Sequence, residues 1–284
     1  MRRNYHIGRW IVCIFICIWS LFPIYWALNT SLTTPVASQS APAHFVPSPL
    51  VFDNYRRIFG LGNAYQGSQS LWTGFRASIT NSFVEGIATT VLTVAIAALG
   101  AYAFARMRFF GRRLFFYTVL TTLALPAYAT LIPLYRIMSD WGLVNTYTGV
   151  VLVYVSGYLP LAMWILYNYF LSIPISLEEA ALVDGASEVR TLVSIVAPLA
   201  VPALAAVAII TFLTAWAEFL FPLVMTSDLS TEPLTVFITS IRLSHIVPYT
   251  LLNAVGVMGI VVPAIIVMFL NRYIVTGILA GSGK

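Results

Sequence analysis

The chain has 284 residues, of which 60% are hydrophobic and 9% charged, with a mean hydropathy of +0.88 and a net charge of +5. That much apolar surface excludes a water-soluble domain and points to an all-α integral membrane protein whose solvent is the bilayer. The positive charge forms no basic stripe interleaved with aromatic residues, so no nucleic acid is expected as a partner.

Six apolar runs are predicted to cross the membrane as helices, at about 10–28, 82–104, 114–136, 147–170, 200–223 and 250–271. Each approaches or exceeds the ~18 to 20 apolar residues a spanning helix needs. The first follows Arg2, Arg3 and Arg9. It is too long for a signal-peptide core and lacks a small-residue cleavage site, so it reads as a retained helix. Within it Cys13 and Cys17 lie at i, i+4, an orientation that does not suit a disulfide, and are expected to be small buried residues.

Asn29 to Phe75 is rich in Pro, Ser and Gly and too polar to span. Pro35, Pro42, Pro47 and Pro49 favour an extended course along the membrane surface, and Asp53 to Phe59 reads as a short interfacial helix. Near the start of the second span, Asn81 is an amide that can join helices or face a water-filled cavity. Glu85 reads as an interfacial or structural residue at that span's outer end.

Arg106, Arg108, Arg112 and Arg113 follow the second span, and Arg272 and Lys284 follow the last. With the N-terminal arginines they fall on one side if the chain crosses six times. Basic residues mark the cytoplasmic side, so both termini and the loop at 171–199 are expected there.

That loop holds Glu178-Glu179-Ala180-Ala181-Leu182-Val183-Asp184-Gly185-Ala186, an acidic, helix-forming stretch between apolar runs. Pro174 ends the fourth span, and Ser176 with Glu179 reads as a capping box that starts a new helix. Leu177, Ala181 and Asp184 share one stripe with Ala180 beside it, a small-residue face that another surface can approach closely. Gly185 suits the left-handed residue that ends such a helix. Ser187 is placed to cap a second short helix with Glu188 in its first turn, and Pro198 and Pro202 mark an elbow into the fifth span.

In the fifth span Trp216, Glu218 and Phe219 combine a carboxylate with aromatic faces, and a carboxylate at this depth needs a partner or a water-filled cavity. Asn253, in the last span, is a second such amide. The segment between them, roughly Met225 to Val247, is read as a loop containing Ser227, Asp228, Leu229 and Ser230. Three scattered histidines and two cysteines make no metal-ligand cluster, and the sequence has no P-loop and no nucleophile constellation. No catalytic, cofactor or metal site is therefore expected in the chain. Midplane charges that would form an ion relay are missing as well, and there is no internal repeat of the kind secondary transporters carry.

After Gly185 come nine residues, then Ile195, one residue, Ala197 and Pro198. This spacing resembles the EAA loop of permease subunits in binding-protein-dependent ABC importers, with Ala197 where that loop usually has Leu. Trp216-Ala217-Glu218-Phe219 resembles the W-N-E-F stretch of the maltose-importer branch of sugar-importer permeases, with Ala217 in place of Asn. Asn81-Ser82, Phe52-Asp53-Asn54-Tyr55 and Ile274 to Gly281 are similar to further elements of that branch.

The resemblance implies a type I ABC importer permease fold, a single transmembrane domain over residues 1–284 with a cytoplasmic EAA loop at about 174–198. It implies four partners in the bilayer assembly: a second permease, two copies of an ATPase that binds ATP and Mg, and an extracytoplasmic sugar-binding protein. Glu178, Glu179, Ala180, Ala181, Asp184 and Gly185 would then couple to the ATPase. Trp216, Glu218, Phe219, Asn81 and Asn253 would line the pathway, and Ser227, Asp228, Leu229 and Ser230 would meet the binding protein. A non-sugar solute, such as a glycerol-phosphate diester or polyol, is the alternative cargo.

Overall fold

The computed structural model describes residues 2–42, 44–61, 68–244 and 248–282, and every regular element among them is helical. The chain divides into two compact units, Met1–Arg76 with Phe237–Val262, and Ala77–Val236 with Pro263–Lys284.

In the first unit, α1 (Arg2–Ser31) exposes Trp10, Phe15, Trp19 and most of its other apolar residues, as a helix bathed in lipid does. Cys13 and Cys17 are free thiols exposed on the same helix rather than buried, as are the apolar residues around them. The proline-rich stretch is less extended than expected. Pro35 opens a one-turn helix, α2 (Pro35–Ser38), whose first turn is capped by Thr34 Oγ1 accepting from the Ala37 N–H at 3.2 Å. The predicted interfacial helix is present as α3 (Asp53–Ile58). Its buried Asn54 donates to the Ser31 carbonyl at 2.8 Å and accepts from Thr250 Oγ1 at 3.4 Å, fastening the segment to the end of α1 and the start of the last helix.

The second span is longer than the apolar run: α4 covers Ser68–Arg106. Ser78, Ser82, Glu85, Thr89 and Thr93 recur at helical spacing and are all buried. This polar stripe lowers the hydropathy of the helix's first half while leaving it helical. Glu85, expected near the outer end, is therefore at mid-helix.

The third span is not straight. α5 (Arg112–Thr121) ends in a 3₁₀ turn, and α6 (Ala127–Asp140) departs at 107° to it. Pro126 explains the break, since it forces Leu125 into extended backbone and offers no N–H to continue the helix. α7 (Tyr147–Ser172) matches the fourth predicted span.

The loop that follows contains α8 (Ile175–Val183), α9 (Glu188–Thr191), a π turn over Leu192–Val196 and α10 (Ala197–Leu199). The chain bends by 80° into α11 (Val201–Ala217), the elbow expected from the two prolines. α11 stops short of the predicted end of its span: Glu218 is extended, and a new helix, α12 (Leu220–Met225), begins two residues later.

About half of the expected outer loop is helix, α13 (Leu234–Ser244), and its end at 245–247 lies outside the described residues. α14 (Tyr249–Ser282) continues well past the predicted end of the last span. Among the described residues four helices are long and apolar enough to cross a membrane, or up to six if each bent pair counts as one span. In the second unit the core is built by α4, α7, α11 and the π turn, with Ala97, Leu166, Phe170, Val196 and Val207 buried together.

Candidate coupling segment, cavity and outer loop

The capping box is not formed. α8 begins at Ile175, one residue before Ser176, with Pro174 as its cap residue and no side-chain cap bond. The helix is held instead by Glu178. Its carboxylate is buried, accepting from Arg106 Nε at 2.7 Å and from the Tyr102 hydroxyl at 3.1 Å. Arg106, the last residue of α4, also donates through Nη2 to the Phe170 and Ile173 carbonyls at the end of α7, both at 2.8 Å. Three guanidinium bonds in a fixed fork compensate the charge that burial strips of water. Glu179, one residue on, points to the other side of the helix and is exposed.

The end of α8 follows the expected chemistry. Gly185 has φ +83°, its N–H bonds to the Leu182 carbonyl at 3.1 Å, and the Ala186 N–H bonds to the Ala181 carbonyl at 2.9 Å. This pair of bonds is the Schellman closure, which needs a left-handed residue at Gly185. Ser187 then caps α9, accepting from the Arg190 N–H at 3.3 Å. Pro198 follows the π turn and has no N–H to extend a regular ladder. Leu192 and Val196 anchor the segment in the core. Leu177, Ala180, Ala181, Asp184, Arg190 and Ile195 line a concavity of about 350 Å³ on the segment's outer side. Of the predicted stripe, Leu177, Asp184 and the adjacent Ala180 are exposed, whereas Ala181 is buried.

Glu218 occupies the break between α11 and α12. Its Oε1 accepts from the Phe219 and Leu220 N–H groups at 3.1 and 3.0 Å, supplying an acceptor to the donors that a helix start leaves free. Its Oε2 accepts from the Tyr158 hydroxyl at 3.1 Å. Glu218 and Tyr158 line a cavity of about 370 Å³ with Thr122, Thr130, Ser156 and Phe221 among its other walls. The mixture of a carboxylate, hydroxyls and an aromatic edge can bind a hydroxylated solute. Trp216 lies in a separate aromatic cluster, stacked on Phe212 at 5.8 Å and edge-on to Phe83 at 4.9 Å, and is buried. The pairing of Tyr158 with Glu218, 60 positions away, has no sequence signal.

At Ser227 to Ser230 the chain is exposed, while the flanking Met225 and Thr231 to Leu234 are buried. Asn145, between α6 and α7 at φ +57°, ties both sides together. Its Oδ1 accepts from the Ser227 N–H at 2.9 Å and from Thr231 Oγ1 at 2.7 Å, and its Nδ2 donates to Asp228 Oδ2 at 2.8 Å. Asn81 joins from α4, donating to the Leu229 and Glu232 carbonyls, both at 3.0 Å, and accepting from the Tyr147 hydroxyl at 2.6 Å. Asn81 thus holds the base of this loop. Asn253 bonds to the Tyr249 carbonyl of its own helix at 2.8 Å. Hydrogen bonds from Ser230, through side chain and backbone, and from Asn145 hold the Asp228 carboxyl below its ordinary value.

Comparison with known proteins adds a family and a fold. The profile of the family described as binding-protein-dependent transport system inner membrane component matches residues 95–279. The "Trehalose/maltose transport system permease protein MalG" of Thermococcus litoralis is 33% identical over 280 residues, covering 96% of this chain and 95% of that protein. The "Osmoprotective compounds uptake permease protein GgtD" of Synechocystis sp. is 38% identical over 229 residues, covering 80% and 76%. A bacterial ABC transporter that imports the acidic polysaccharide alginate has a chain that superposes with a TM-score of 0.78 at 24% identity, over 95% of this chain and 96% of that one, a likeness of fold.

Proposed function

The chain belongs to the family of inner-membrane components of binding-protein-dependent transport systems, and on that premise we propose that it is one of two permease subunits of an ATP-driven ABC importer for a carbohydrate. In this reading each bent helix pair crosses the bilayer once, giving six spans with both termini in the cytoplasm of a bacterium or archaeon, and residues 1–284 form one transmembrane domain. The basic residues flanking the spans support that orientation. The observation that carries the reading is the coupling segment: α8, closed by Gly185, presents Glu179, Ala180 and Asp184 outward beside a concavity while Glu178 fastens it inward.

Two copies of a partner ATPase would bind ATP and Mg and grip α8. Closure of that ATPase dimer would rock the two permeases between inward-facing and outward-facing states, a rigid-body transition. An extracytoplasmic binding protein would meet Ser227 to Ser230 and release solute toward the cavity around Glu218 and Tyr158. Trp216, Phe219 and Asn81 contribute to this path by supporting its walls and loops, and Asn253 is assigned to it by resemblance alone. The permease itself supplies no hydrolytic chemistry.

The sugar assignment rests on the cavity's hydroxyl and carboxylate lining together with the relative named for trehalose and maltose. The relative named for osmoprotective compounds favours a second reading, a small polyol or glycoside cargo. Reconstituting the chain with its partner subunits in proteoliposomes tests both. Uptake of a labelled disaccharide driven by ATP and by a sugar-binding protein is the expected result, and uptake of osmolytes alone would move the assignment to the second cargo. Gly185→Pro and Glu179→Lys should leave the chain inserted while weakening ATPase association or uncoupling hydrolysis from transport; normal transport by both would remove the coupling role.

A further inference from the structure

Two partner-facing segments of the second unit are tied to the same helix. Arg106, at one end of α4, holds the coupling helix through Glu178, and Asn81, 25 residues earlier, holds the base of the outer loop. At 1.5 Å per residue the two anchors stand about 37 Å apart, more than the hydrocarbon thickness of a bilayer. α7 is fastened alongside at both places: its Tyr147 bonds to Asn81, and its Phe170 carbonyl accepts from Arg106.

α4 is suited to act as a rod. Among the described helices of 26 residues or more, α1, α7 and α14 each contain an internal proline, at Pro23, Pro160 and Pro263, and α4 contains none. Prolines are the commonest cause of sharp helix kinks, so α4 lacks the usual hinge. Two glycines bring it close to its neighbours. A Cβ at Gly86 would come within 2.9 Å of the Phe212 ring on α11, and one at Gly100 within 2.7 Å of the Met163 methyl on α7. Interlocking of this kind resists bending and sliding, so displacement at one end is delivered to the other.

We infer that α4, clamped to α7 at Asn81 and Arg106, is the strut that transmits the state of the outer loop to the ATPase-coupling helix and back. This rests on the functional reading above, in which those two segments face the binding protein and the ATPase. Asn81, Tyr147, Arg106 and Tyr102 are then positioning residues for coupling, acting through the segments they hold.

The test uses the complete complex in nanodiscs and follows ATP hydrolysis while the binding protein, loaded with its solute, is titrated. The ratio of saturated to unstimulated hydrolysis reports transmission, and the half-saturating concentration reports docking. Asn81→Ala at one end and Arg106→Lys at the other should each lower the ratio by about fivefold or more, the scale of an ordinary allosteric coupling. The double variant should be no worse than the more severe single, because both cut one path. Tyr147→Phe and Tyr102→Phe, which remove one hydroxyl bond from each clamp, should shift the ratio in the same direction and guard against a variant that fails to assemble. A raised half-saturating concentration with an unchanged ratio would reduce Asn81 to a loop-shaping role and overturn the strut. So would losses in the double variant that multiply. If the unaltered complex is not stimulated by any binding protein, the functional reading fails and takes the strut with it; if it is stimulated and the variants keep the full ratio, the strut alone falls.

Discussion

Replacing Arg106 by alanine should release α8 from the ends of α4 and α7. The Arg106 and Glu178 side chains are only 11% and 5% exposed, so solvent screens their interaction little. Removing one partner of such a buried pair costs about 3 to 5 kcal/mol, chiefly because the other charge is left without compensation. Glu178 would keep only the Tyr102 hydroxyl, and the Phe170 and Ile173 carbonyls would lose their donor. The loss is local, since Leu192 and Val196 still anchor the segment's second half. Hydrogen exchange by mass spectrometry is therefore the suitable assay. At 1.4 kcal/mol per factor of ten, protection of the α8 amides should fall on the order of a hundredfold or more, with the amides of α7 changed far less. Glu178→Gln keeps an oxygen to accept the Arg106 bond but loses the charge, and should cost about 1 to 2 kcal/mol, a tenfold effect. Unchanged protection of α8 in Arg106→Ala would refute the reasoning, as would an equal loss throughout the chain.

Gly185→Ala should weaken α8 by about 1 to 2 kcal/mol through backbone strain alone, since a Cβ there meets nothing within 4 Å, and the same exchange measurement should show it. Trp216→Ala empties a packed aromatic site and should destabilise the chain by about 3 to 5 kcal/mol, read as a lower thermal midpoint in detergent. Glu218→Gln retains an acceptor for the Phe219 and Leu220 N–H groups, so solute uptake should fall while assembly persists, and uptake equal to the unaltered protein would exclude the carboxylate from the path. The Asp228 carboxyl titrates below its ordinary value of 3.8 in the folded loop, so its contribution is complete at neutral pH and lost as pH falls through the lower folded value. Protection of the Ser230 amide, which donates to Asp228 Oδ1, measured relative to its intrinsic exchange rate, should accordingly stay constant from pH 7 to about 4 and fall only below that.

Much of this protein was legible in the residues alone, where the signal is local. Long apolar runs located the helices because a bilayer demands about twenty such residues whatever surrounds them. Gly185 and Ser187 placed the end of one helix and the start of the next, since left-handed backbone and side-chain capping depend on a few neighbours. The spacing from Glu179 to Pro198 pointed to the family for the same reason. What the residues alone misplaced depends on who packs beside whom. α4 begins fourteen residues before its apolar run, and in that added stretch Ser78 and Asn81 are buried, where a hydroxyl and an amide no longer look like loop. Ser176 and Glu179 have the pattern of a capping box, yet the helix starts earlier and its neighbour Glu178 is claimed by an arginine 72 positions away. Tyr158 meets Glu218, and Asn81 meets a loop about 150 residues downstream, only because folding brings distant turns to one depth. Sequence determined the solvent, the number of apolar runs and the local grammar of the segment at 174–198; tertiary structure decided which distant polar groups meet, because that depends on which helices pack side by side and at what depth.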